Sequence, residues 1–254
     1  MRQQQCVTIT FGEVAENHVG MQKVGTMAAK GFTMEEMEAA KEEFERRGME
    51  CEMVDLVQSL PEEVRGEVEA AAVLIVRGAI ASREEEMMEE LLAIEWDTKA
   101  LMKGRVVNKH ARHNVCFDEE GQEPEYEKGK GRVVAFDSVP EVQRLRDELP
   151  EYLGESARGL KAEGNLYFDL KKCGIGFHGD SERKMVVAVR LGAQMPLHYQ
   201  WFKGFKPVGE RVRLMLEPGD MYVMSEKATG YDWKRSSIYT LRHAAGSEKY
   251  LTIK

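Results

Sequence analysis

With 254 residues, 43% of them apolar, the chain is long enough to bury one large core or two small ones. No stretch approaches the apolar length of a membrane span and MRQQQCVTITFG lacks the apolar centre of a signal peptide, so an intracellular protein, cytoplasmic or nuclear, with no membrane partner is expected. The formal net charge of −8 is unevenly shared, since residues 1–150 carry 19 Lys and Arg against 32 Asp and Glu while residues 151–254 carry 17 against 12, which opposes capture of nucleic acid by the whole surface.

In chain order, Cys6–Gly12 (CVTITFG) reads as a strand. The polar, glycine-bearing stretch Glu16–Gly25 follows, with His18 as a side chain suited to a site. Thr33 and Glu36 form a capping box that opens the helix TMEEMEAAKEEFERR, closed by Gly48. ECEMVDLV and AAAVLIVRGA then read as buried strands, and Ser82 caps a second amphipathic helix that runs to about Asp97. Met34, Met37, Met87 and Met88 are gap-filling core positions. This alternation predicts a small α/β segment over 1–103.

From Gly104 the pattern changes. GRVVNKHARHNVCF (Gly104–Phe117) is strand-like and holds His110 and His113, a spacing compatible with a metal but with no third ligand close by. Asp118–Gly131 is charged and punctuated by glycine, as a surface loop is. Pro140 opens a helix that sets Val142, Leu145 and Leu149 on one face. Short β-branched and aromatic runs follow at Lys184–Ala193, Met195–Phe202, Glu210–Ser225, Ser237–Gly246 and Lys249–Lys254, bounded by Gly, Pro and charged turns. Their spacing predicts an antiparallel sandwich or barrel, most economically a jelly roll, over 104–254. The four cysteines, Cys6, Cys51, Cys116 and Cys173, lie far apart without C-x-x-C spacing, so reduced thiols are expected and neither a zinc site nor a disulfide framework.

Gly174–Ser181 (GIGFHGDS) is the sharpest feature, because it sets His178 and Asp180 two residues apart on an extended segment. Strand side chains alternate, so both share one face. An imidazole and a carboxylate aimed at one point supply two of the three ligands of a 2-His-1-carboxylate triad, the usual cradle of non-heme Fe(II). The basic C-terminal part leaves room for a local anionic substrate, with Lys203, Lys206, Arg211, Arg213, Lys234 and Arg235 as candidates.

NLY (Asn165–Tyr167), IGFHGDSE, VVAVRLG, LMLEPGDMYVMS and YTLRHAAG occur in the order shown by the AlkB-like branch of the Fe(II)- and 2-oxoglutarate-dependent dioxygenases, and the chain from about Gly104 resembles that family. The resemblance implies an α+β protein in which a double-stranded β-helix (jelly-roll) oxygenase core follows the N-terminal segment. It also implies Fe(II), O2 and the small-molecule cosubstrate 2-oxoglutarate, which is converted to succinate while a substrate is hydroxylated or oxidatively demethylated. His178 and Asp180 match the first two metal ligands. The position of the AlkB-like second histidine holds Asp232, whereas His243 in LRHAAG is similar to the distal histidine of prolyl-4-hydroxylase-like members, so His243 is preferred over Asp232 as third ligand. A hairpin of IYTLRHAAG and KYLTIK is expected to carry it back to the metal. Asn165 and Tyr167 match donors to 2-oxoglutarate. The cation for its far carboxylate is Arg242, with Thr240, in the AlkB-like register, and Lys249 or Lys254 in the prolyl-hydroxylase-like one. Asn108, Lys109, Arg112 and His113 would line the substrate mouth, and His198 and Trp201 stand on a strand beside the metal strand. The substrate stays open between protein, small molecule and nucleic acid, and the alternatives are an AlkB-like nucleic-acid demethylase and a non-catalytic binding module with a degenerate metal site.

Overall fold

A computed structural model describes residues 5–253. In chain order the strands are β1 (Cys6–Gly12), β2 (Val14–Glu16), β3 (Lys23–Gly25), β4 (Cys51–Asp55), β5 (Ala72–Val76), β6 (Lys99–Met102), β7 (Arg105–Asn108), β8 (His113–Asp118), β9 (Val133–Ala135), β10 (Lys161–Tyr167), β11 (Gly174–His178), β12 (Val186–Gly192), β13 (Leu197–Lys203), β14 (Lys206–Leu214), β15 (Met221–Met224) and β16 (Thr240–Gly246). The α-helices are α1 (Met34–Arg46), α2 (Glu84–Ala93), α3 (Pro140–Leu153) and the short α4 (Glu248–Leu251). None of the described helices is long and apolar enough to cross a membrane.

An eight-stranded sheet has the order β4-β5-β15-β12-β1-β10-β8-β9, and a four-stranded sheet the order β11-β16-β13-β14. From β10 onward the chain winds between them: β10 in the large sheet, β11 in the small one, β12 in the large, β13 and β14 in the small, β15 in the large and β16 in the small. One face of the large sheet is covered by α1, α2 and α3, whose Met37, Phe44, Met87, Leu91, Val142 and Leu145 pack with Val7, Ile9 and Val189. Its other face meets the small sheet, where Val186, Ala188 and Tyr222 pack with Tyr199, Trp201 and Leu241. A strand covered on both faces reads as a continuous apolar run, which is why VVAVRLG is buried along nearly its whole length.

Local expectations hold at two of the helices. Thr33 Oγ1 accepts from the Glu36 N–H at 3.2 Å and Glu36 Oε2 accepts from the Thr33 N–H at 2.8 Å, closing the capping box at α1. Pro140 occupies the first turn of α3. Elsewhere the structure differs. The boundary at 103 does not separate two units, because β1, β4 and β5 belong to the large sheet and β1 lies at its centre between β10 and β12. Val7, Ile9 and Phe11 face the helices while Cys6, Thr8 and Thr10 face inward, so this strand contributes to both sides of the molecule. Ser82 falls in a tight 3-10 turn, and α2 starts one residue after Arg83, with Glu84, Glu85 and Glu86 against its N-terminal dipole. Lys249 lies in α4 and not in a strand, so the expected hairpin with IYTLRHAAG does not form. Lys254 lies outside the described residues.

Candidate metal centre

Antiparallel pairing of β11 with β16 sets His178 directly opposite His243, and both side chains face the large sheet. Asp180 follows β11, its N–H held by the Thr229 carbonyl at 3.0 Å. Nε2 of His178 and Nε2 of His243 each lie 3.6 Å from Asp180 Oδ1, and one ligand atom from each of the three residues lies within 4.8 Å of the others. Gly179 makes this approach possible, since a Cβ there would stand 2.1 Å from the Gly230 carbonyl oxygen and 2.7 Å from Trp233 Cδ1.

The charge states suit a cation. Burial, reinforced by His243, pushes the His178 imidazole down to about 3, so it is neutral at physiological pH. Burial alone would raise Asp180, but the Arg183 guanidinium, with Nε 3.7 Å from Oδ2, and His243 outweigh it and hold the carboxyl below its usual range. Nδ1 of His178 is 2.8 Å from the Gly176 carbonyl; with the proton assigned to Nδ1, the Nε2 lone pair is left facing Asp180 and His243. Nδ1 of His243 is buried without a hydrogen-bond partner among the described residues. A neutral His178 imidazole and an ionised Asp180 carboxylate bind a divalent ion without first losing protons.

Asp232 stands outside this group. It is buried and its Oδ2 accepts from Lys227 Nζ at 2.7 Å, so its charge is already matched. His113 stacks on Phe168 with ring centroids 4.4 Å apart and His110 is exposed; neither joins a cluster of potential metal ligands among the described residues.

A cavity of about 920 Å³ opens beside the three ligands. Its floor is the inner face of the large sheet, where cross-strand register aligns Asn165 of β10, Thr8 of β1 and Arg190 of β12 in one row. Asn165 Oδ1 accepts from Arg112 Nε at 2.6 Å and also from Asn114 Nδ2, and its own Nδ2 donates to Glu163 Oε1 at 3.1 Å. Tyr167 and Tyr222 line the same floor. Arg190 is 1% exposed. Its Nη1 donates to Thr8 Oγ1 and lies 3.5 Å from Cys6 Sγ, its Nε has no partner, and no carboxylate pairs with it among the described residues.

Arg242, expected as the cation of this cavity, is not in it. One residue from His243 on the same strand, it points to the opposite face, with its guanidinium carbon 4.0 Å from the Phe202 ring centroid and 5.1 Å from that of Trp233. Thr240, two residues from Arg242, shares its outward face. Lys249 lies over the Tyr250 ring in α4. The cation that sequence reasoning passed over is Arg190, and the available signal was a lone arginine inside the apolar run VVAVRLG. Arg112 lines the mouth, as do His18 and Val19 from the turn after β2 and Trp233 and Lys234 from the segment before β16. Asn108 and His113 do not line it; Lys109, pushed down to about 8 by burial, instead donates from Nζ to Asn17 Oδ1 at 2.7 Å. Trp201 is core, its Nε1 donating to the Leu56 carbonyl at 2.9 Å, and His198 faces away from the cavity.

No family model matches the chain. It is 45% identical over 249 residues to an uncharacterized protein of Acanthamoeba polyphaga mimivirus, an alignment that covers 96% of this chain and 97% of that one.

Proposed function

Starting from a chain that belongs to one family with the mimivirus protein, we propose that it is an Fe(II)- and 2-oxoglutarate-dependent dioxygenase that hydroxylates, or oxidatively demethylates, a substrate entering at the cavity mouth. The observation that carries this reading is the convergence of His178, Asp180 and His243 in one cavity with a buried arginine, Arg190, that has no counter-charge among the described residues. The winding of β10 to β16 between two sheets supports a double-stranded β-helix, with β1 from the N-terminal part filling the place between β10 and β12.

His178, Asp180 and His243 would hold the iron, since two imidazoles and one carboxylate with open positions form the donor set of non-heme Fe(II) oxygenases. Bound there, iron would supply O2 activation at the expense of 2-oxoglutarate. Arg190 receives the far carboxylate of 2-oxoglutarate. A guanidinium fork matches a carboxylate in two hydrogen bonds, and Thr8 fixes the fork from behind. Burying a lone cation costs several kcal/mol, a penalty that an incoming carboxylate offsets. Tyr167 and Tyr222 place phenols on the same floor, and Asn165 is fixed in orientation by Arg112. Arg190 thus takes the role expected from the sequence for Arg242, Lys249 or Lys254.

Anaerobic titration with Fe(II) and 2-oxoglutarate tests the assignment: a visible charge-transfer band should appear only when both are present, and succinate should form once air is admitted. Absence of both signals rejects it.

A further inference from the structure

We propose that the outer face of the four-stranded sheet, with the open edge of β14, is a docking surface for an extended acidic segment of a partner protein. Strand alternation turns Arg242 of β16, His198 and Phe202 of β13, and Arg211 and Arg213 of β14 away from the cavity. Nine of the seventeen arginines among the described residues pair with carboxylates, Arg47, Arg77, Arg132, Arg146 and Arg183 among them. Arg211, Arg213 and Arg242 have no carboxylate within ion-pair distance among the described residues. Three unmatched guanidinium groups on one face of a chain with net charge −8 call for an anion from outside.

Unpartnered polar atoms mark the same face. Nε and Nη2 of Arg242 and both ring nitrogens of His198, which is 7% exposed, are buried without hydrogen-bond partners among the described residues. Aromatic rings wall the arginines: Phe202 lies under Arg242, and Phe177 lies 5.0 Å from the Arg211 guanidinium carbon. Phe205, 57% exposed and with φ of 64°, is held out from the turn between β13 and β14. Charged edge strands also serve to prevent aggregation. That role accounts for exposed Lys206 but not for buried donors left unpaired.

The occupant is an acidic peptide because β14 is an edge. It pairs with β13 alone and is exposed over most of its length. An added strand pairs its backbone with such an edge, and its alternate side chains, about 6.8 Å apart, match the spacing of Arg211 and Arg213. Nucleic acid has no backbone donors for that pairing, and its longer charge track meets a chain whose first 150 residues are acidic. Trp233 and Lys234 line the cavity mouth, and Trp233 also touches Arg242, so a docked segment lies beside the entrance. The surface stands independently of the metal assignment.

Fluorescence polarisation of the full chain with a labelled peptide of roughly ten residues alternating Glu and Val tests the proposal, with a Lys and Val peptide and an oligothymidylate as comparisons. The acidic peptide should bind, weaken with salt, and bind at least about tenfold less well to Arg211→Ala/Arg213→Ala. Both sites are exposed, so the variant should fold; amide shifts of the unmodified chain should change along Lys206–Leu214. Tighter binding of the oligothymidylate, equal binding of the basic peptide, indifference to the double substitution, or no binding at all would overturn it.

Discussion

Arg190 reaches across the centre of the large sheet to Thr8, its Nη1 donating to Thr8 Oγ1 although 182 positions separate the two residues. The bond fixes Nη1, whereas Nε is buried without a hydrogen-bond partner among the described residues. Replacing Arg190 with Gln removes a charge-assisted fork of about 1.5–3 kcal/mol, so the KM for 2-oxoglutarate should rise about 10- to 100-fold while Fe(II) binding persists. Arg242→Gln should leave that KM unchanged. The opposite ranking of the two variants would return the cosubstrate to the outer face.

Gly179 separates two ligands at a point where a methyl group has no room. Gly179→Ala must displace either the Gly230 backbone or the His178–Asp180 pair. Overpacking of this kind costs about 1–3 kcal/mol. Because Gly230 is itself held at φ of +70°, the displacement should fall on the ligands, and calorimetry should show Fe(II) affinity falling more than folding stability. Unaltered affinity would mean that the backbone yields instead.

Asp232 and His243 compete for the third position on sequence grounds, and their surroundings predict opposite phenotypes. Asp232→Ala leaves the buried Lys227 ammonium with only the exposed Glu69 carboxylate, 4.0 Å away, as ion-pair partner among the described residues, which should cost up to about 3–5 kcal/mol in urea denaturation while the folded fraction still binds one divalent ion. His243→Ala should do the reverse, abolishing metal binding at modest cost in stability. Loss of metal stoichiometry in Asp232→Ala alone would reverse the assignment.

The pairing of His178 with Asp180 was legible because a strand period of two needs no tertiary information. The choice of His243 was legible only as the one histidine after Asp220; the structural reason is its register with His178 across β11 and β16, not the hairpin with Lys249–Lys254. Arg242 was misplaced by the same alternation that identified the first pair: a residue adjacent to an inward histidine faces outward. Arg190 and the central position of β1 were illegible because both depend on which strands become neighbours. CVTITFG looks alike as an edge or a centre, and nothing local announces that β10 and β12 will enclose it.

His178 makes the metal-free protein sensitive to acid. Its folded value of about 3 lies below the ordinary 6.5, so between those limits the unfolded chain binds the proton that the folded chain refuses. Stability is therefore complete above pH 6.5 and falls as pH drops through that window, with a slope of at most about 1.4 kcal/mol per pH unit. Asp180, also held low, adds to the loss only nearer its own ordinary value of 3.8. Urea midpoints of metal-free protein at about pH 7 and about pH 5 should differ, and His178→Gln should narrow the difference. A midpoint constant across that range would show that His178 is protonated in the folded chain.

The last prediction concerns the boundary at residue 103. Removing residues 1–103 deletes β1, whose seven residues Cys6–Gly12 bridge β10 and β12 at the centre of the large sheet, and it also takes away α1 and α2, which cover the outer face of that sheet. The remaining chain would expose Val187, Val189 and Leu191 together with three newly unpaired strand edges, those of β10, β12 and β15, a combination that favours aggregation over folding. Residues 104–254 alone should be insoluble or lack dispersed amide resonances, and adding a separately expressed 1–103 fragment during refolding should restore soluble, metal-binding protein. A monomeric 104–254 fragment with a cooperative thermal transition would show that this part of the chain is an independent unit, and that β1 is an addition to the sheet and not a required part of it.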